Sequence, residues 1–90
     1  VMVDRIRSAD AVPVVGLVTP FAHAPDRAVE FNTLLGAALE RWGVAVIDFH
    51  AVTSDGRDWL PGMSDDGIHP NARGAEVMAA AAVPVIRAAY

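Results

Sequence analysis

The chain has 90 residues, 53% of them apolar and 20% charged, with a formal net charge of −4. That length holds one small domain or part of one, and the apolar share excludes a disordered, solvating chain. The acidic balance argues against gripping nucleic acid or an anionic membrane, and with no cysteine there are no disulfides, thiolate zinc sites or cysteine nucleophiles.

The first stretch, Met2 to Ala9, has helical spacing: Val3, Ile6, then Ala9 or Asp10. It reads as the end of a helix whose start is missing. Val12 to Thr19 is a continuous apolar run rich in valine, as suits a parallel strand covered on both faces. Pro13 fits its beginning and Pro20 its end. Phe21 to Ala24 is loop. Pro25 and Asp26 then suit a first helical turn. Ala28, Phe31, Leu35, Ala38 and Trp42 follow at three- and four-residue steps, widened by Leu34 and Leu39. This predicts an amphipathic helix with Phe31, Leu35 and Trp42 in the core, stopped at Gly43.

Val44 to Phe49 predicts a second strand, so Val12 to Phe49 forms a βαβ unit. His50 to Ile68 reads as one long loop, a length that is often functional. The last helix is expected to begin near Pro70 with Asn71 as its cap and to run through Met78. Val83-Pro84 should kink or break it. No apolar run reaches the roughly 18 residues of a membrane span. The opening Val1 to Arg5 lacks a signal-peptide layout, and a chain that opens on valine is also what truncation leaves.

Two such strands need helices on both faces and strands beside them; otherwise an apolar edge stays open. Residues 1–90 are therefore expected to be a single partial domain, completed by an upstream half or by a partner chain.

The chemistry concentrates in Ser64-Asp65-Asp66-Gly67-Ile68-His69-Pro70-Asn71, followed by Gly74. Asp66 and His69 stand three apart where a loop turns into a helix, with Gly67 giving the backbone freedom. A carboxylate that accepts from one imidazole nitrogen fixes the tautomer and leaves the other nitrogen to take a proton. The bland alternative is a capping aspartate beside a surface histidine. Nothing in the residues alone decides between Asp65 and Asp66.

Asp66-Gly67-Ile68-His69-Pro70-Asn71 with Gly74 resembles the C-terminal block of the SGNH hydrolases, the GDSL-type esterases and lipases. Gly16-Leu17-Val18-Thr19-Pro20-Phe21, Phe31-Asn32 and Val46-Ile47-Asp48-Phe49 are similar to family segments in the same order. The resemblance implies an α/β fold, the C-terminal part of a three-layer α/β/α sandwich with a parallel sheet, here about two strands and three helices. It implies carboxylic ester hydrolysis of a small-molecule ester substrate without cofactor or metal. His69 would be the base and then the acid, and Asp66 would orient it.

The family's Gly-Asp-Ser block is absent. Ser8, Ser54 and Ser64 do not sit after a glycine on a strand-to-helix turn, and neither Asn32 nor Asn71 lies in the family's oxyanion setting. The isolated chain is therefore expected to be nearly inert.

Two other classes are open: a non-catalytic α/β remnant acting through strand-edge pairing, and a metal-dependent hydrolase using Asp48, His50, Asp66 and His69. His23 is a cleft-lining residue or plain loop. Trp59 to Met63 is an acyl-binding wall or an anchored loop. Arg57 and Arg73 contact an anionic group or solvent.

Overall fold

A computed structural model describes residues 2–9 and 11–90. Val1 and Asp10, the latter one of the two register positions expected for the first helix, lie outside them. The order is α1 (Met2–Ser8), β1 (Val14–Gly16), α2 (Pro25–Arg41), β2 (Ala45–Ile47), α3 (Phe49–Thr53) and α4 (Ala72–Ala89). β1 and β2 pair in parallel, Val14 with Ala45, Val15 with Val46 and Gly16 with Ile47. The βαβ unit forms as expected. No helix among the described residues is long and apolar enough to cross a membrane.

Both strands are shorter than their apolar runs. β1 cannot start earlier because Pro13 brings no N–H. Past Gly16 one more ladder bond forms, from Leu17 N–H to the Ile47 carbonyl (2.9 Å). At Val18 a side chain replaces the ladder: its N–H donates to Asn32 Oδ1 and its carbonyl accepts from Asn32 Nδ2, both at 2.9 Å. At the other strand, Val44 is used to leave α2. Its N–H turns back to Leu39 while the N–H of Gly43, at φ 65°, returns to Glu40, a left-handed helix stop that favours glycine.

The inward face of α2 differs from the expected stripe. Ala28, Asn32 and Leu39 are buried, whereas Phe31 is 52% and Trp42 56% exposed. A two-stranded sheet gives α2 only β2 to pack against in depth. Ala28, Asn32 and Leu39 fill the inward contact, and Phe31 and Trp42 on the flanks have no layer over them.

The expected break at Pro84 does not occur. α4 runs through it. The bond lost is the one to the carbonyl of Ala80, which is exposed and can be hydrated instead. The start of α4 agrees with expectation: Asn71 Oδ1 accepts the Gly74 N–H (2.9 Å).

A short helix, α3, replaces the expected start of the long loop. Asp48 caps it, accepting the Ala51 N–H at 2.9 Å. α3 and β2 both pack on α4. The remaining loop is closed into two ordered turns by bridges between Ser54 and Trp59 and between Ser64 and Pro70.

Candidate active site

The second turn, residues 64–70, is organised by one carboxylate. Asp66 Oδ1 accepts the N–H groups of Ile68 and His69, both at 2.8 Å, and Oδ2 faces His69 Nδ1 at 2.8 Å. The His69 side-chain bond, then the two backbone bonds, hold the Asp66 carboxyl well below the usual carboxylate range. An ionised carboxylate only accepts, so Nδ1 carries the proton and Nε2 of the neutral ring presents its lone pair. The His69 side chain is 76% exposed.

Gly67 makes this turn possible. Its φ is 78°, and a Cβ there would come within 2.5 Å of the Ala22 Cβ. Ala22 lies in the segment that follows β1, and its N–H donates to the Gly67 carbonyl at 2.9 Å. The turn is thereby docked at the carboxyl end of β1, where ligand-binding groups gather in open α/β sheets. Ser64 closes it from below: its hydroxyl accepts the Gly67 N–H (2.9 Å) and donates to the His69 carbonyl (2.6 Å).

Of the two neighbouring aspartates, Asp66 meets the histidine; Asp65 accepts from Asn71 Nδ2 at 3.1 Å. The serines are occupied elsewhere. Ser64 is spent on its own turn, and Ser8 donates to the Asp4 carbonyl. Ser54 is buried, donates to the His50 carbonyl (2.5 Å) and stands 3.1 Å from His50 Nδ1. Asn32 uses both ends of its amide on Val18. Asn71 caps α4 and donates to Gly62 and Asp65.

The metal-ligand set is corrected. Asp48 is committed to capping α3, and His50 is buried on α3 against Ser54. Among the described residues no three His, Asp or Glu side chains converge in a way that could hold a metal ion. Arg57 and Arg73 are balanced locally: Arg57 Nε donates to Asp26 (2.8 Å) and Nη1 to Asp58 (3.2 Å), and Arg73 lies 3.8 Å from Glu76. The His23 ring stands edge-on to Phe21, centroids 5.4 Å apart.

An open trough of about 350 Å³ lies beside the turn, walled by Val18, Pro20, Phe21, Phe31 and Ile68 among others. Trp59 is not one of its walls. Its indole N–H donates to the Gly67 carbonyl at 2.8 Å, a link that sequence reasoning did not find; the only available signal was one tryptophan in a polar loop. A larger apolar groove, about 580 Å³, runs past the amino ends of the strands between Val12, Pro13, Ala45, Val46, Pro84 and Val85. It holds none of the chemical groups above.

The fold is similar to that of solved G-D-S-L proteins. A GDSL-like lipase from Bacteroides thetaiotaomicron superposes with a TM-score of 0.85 at 19% identity, over 99% of this chain and 49% of that one. A member of the lipolytic protein G-D-S-L family from Veillonella parvula gives 0.69 at 27% identity, over 96% of this chain and 50% of that one. The chain thus spans about half the length of these solved proteins. No curated protein matches it. The model of the GDSL-like lipase/acylhydrolase family matches residues 1–77, and on that match this chain belongs to the GDSL-like lipase/acylhydrolase family.

Proposed function

We propose that this chain contributes the acid–base half of a serine ester hydrolase and that residues 1–90 are the C-terminal part of its domain. The observation that carries this reading is the 2.8 Å bond between Asp66 Oδ2 and His69 Nδ1, with Nε2 left open on an exposed turn. His69 Nε2 takes the proton of a serine hydroxyl as that oxygen attacks the ester carbonyl. It then returns the proton to the departing alcohol. Water attacks the acyl-enzyme by the same route, its proton passing to Nε2 and back to the serine oxygen. Asp66 holds the reactive tautomer and stabilises the imidazolium. The serine and the oxyanion donors come from an upstream half, because Ser8, Ser54, Ser64, Asn32 and Asn71 are all engaged in holding this chain's own backbone. The apolar trough beside Ile68 suits the acyl part of the ester.

The test is complementation. The 90-residue chain alone is assayed with a short-chain aryl ester, then with an upstream G-D-S-L half supplied covalently or as a second fragment. Hydrolysis is expected only when both halves are present. Full activity of the isolated chain would overturn the division of labour.

A further inference from the structure

We infer that Trp59 is a positioning residue for the Asp66–His69 pair, acting through the Gly67–Ile68 peptide unit. The inference rests on the proposed role of His69 and adds the device that holds it in place.

The argument follows one peptide plane. In a trans peptide the carbonyl oxygen and the amide hydrogen point to opposite sides of a rigid unit. On one side, the Gly67 oxygen accepts two donors, the Trp59 indole N–H at 2.8 Å and the Ala22 N–H at 2.9 Å. On the other side, the Ile68 N–H donates to Asp66 Oδ1 at 2.8 Å. Whatever fixes the oxygen therefore fixes the donor that holds the carboxylate. The carboxylate in turn reaches His69 Nδ1 through its second oxygen.

Such bracing is needed here. Asp66 is exposed and His69 more so, so burial does little to fix either of them. Gly67 itself, at φ 78°, is the residue least able to resist rotation. Ala22 alone would leave a single tether on the plane. Trp59 adds a second, carried on a half-buried ring, so that the plane cannot rock about one bond. The ring's own turn is closed by the bridge to Ser54 and by the Leu60 N–H to the Thr53 carbonyl (2.9 Å), which ties the brace to α3.

The experiment uses the two-half enzyme with a short-chain aryl ester. Trp59→Phe keeps an aromatic ring, though a smaller one, and removes the donor. The expected result is a fall in kcat of about tenfold, the rate equivalent of one hydrogen bond, with KM changed less than about twofold, as befits a group that acts on the catalytic pair and not on ester binding. In proton NMR the downfield His69 Nδ1–H resonance should broaden. Leu39→Ala, a core change in α2 away from the site, should lower the melting temperature and leave kcat unaltered below the melt. A Trp59→Phe enzyme with unchanged kcat, while His69→Ala is dead, overturns the inference and leaves the proposed function standing. An active His69→Ala enzyme overturns both. Should Trp59→Phe not fold, the unaltered enzyme decides: the Trp59 indole N–H must exchange slowly with D₂O, in step with the Ile68 amide, and rapid indole exchange overturns the inference.

Discussion

At the scale of single residues, the site depends on Asp66 keeping its charge. Its carboxyl is held ionised below the ordinary range, near pKa 4. A carboxyl whose pKa is lower folded than unfolded adds stability above the unfolded value and loses it as pH falls through the folded value. Acidification below about pH 4 should therefore cost the wild type a contribution that Asp66→Asn never had. Melting temperature measured against pH should fall more steeply for the wild type in that window; parallel curves would contradict the assignment. On activity, Asp66→Asn should lower kcat of the two-half enzyme by about 10⁴, since the amide no longer selects the tautomer. A loss under tenfold would count against Asp66 as the orienting group.

The spacing of Asp66 and His69 was legible in the sequence because three residues and a glycine make a turn tight enough for the two side chains to meet. The choice of Asp66 over Asp65 was legible only through the family resemblance, not from the residues alone. In the structure local donors of the same turn separate the two: Asn71 takes Asp65, while the Ile68 and His69 amides take Asp66. The alternative that Asp48 and His50 bind a metal is not supported by the geometry, for a local reason. An aspartate that ends an apolar run is well placed to cap a helix, and here the cap starts α3.

At the scale of elements, periodicity placed α2, β2 and the start of α4, but not how far each element runs. Asn32 is the instructive case. It stands four residues after Ala28, on the same helical face, whereas the expected stripe runs through its neighbour Phe31. It is buried because its amide imitates a neighbouring strand for Val18. Asn32→Ala would leave two backbone groups of Val18 unpaired, at a cost of about 2 kcal/mol, read as a lower denaturant midpoint. A neutral outcome would mean that water replaces the amide. α4 gives the opposite sign. Pro84→Ala restores an N–H to the Ala80 carbonyl and should stabilise the helix by about 1–3 kcal/mol; a drop in stability would show that the proline ring packs to advantage in the groove it lines with Val12 and Val46.

At the scale of the whole molecule, the described residues form a sheet of only two strands. Each of the two strands pairs on one side only. Phe31 and Leu34 on α2 and Trp42 at its C-terminal cap stand exposed, and an apolar groove lies open between α4 and the strands. The expectation of an incomplete layer came from the valine-rich runs alone, and it accounts for why the α2 core was misjudged: periodicity marks the residues that want cover, not those that have it. In sedimentation the 90-residue chain should associate as its concentration rises. Supplying an upstream half should convert it to a one-to-one complex. A chain that stays monomeric at high concentration would contradict the open-edge account.

The proposal that His69 is the base is tested most directly by the rate of short-chain aryl ester hydrolysis in the two-half enzyme, with His69→Ala beside the wild type. The predicted result is a loss of about 10⁴ to 10⁶ in kcat with the fold retained by circular dichroism. An unchanged rate in His69→Ala would contradict it.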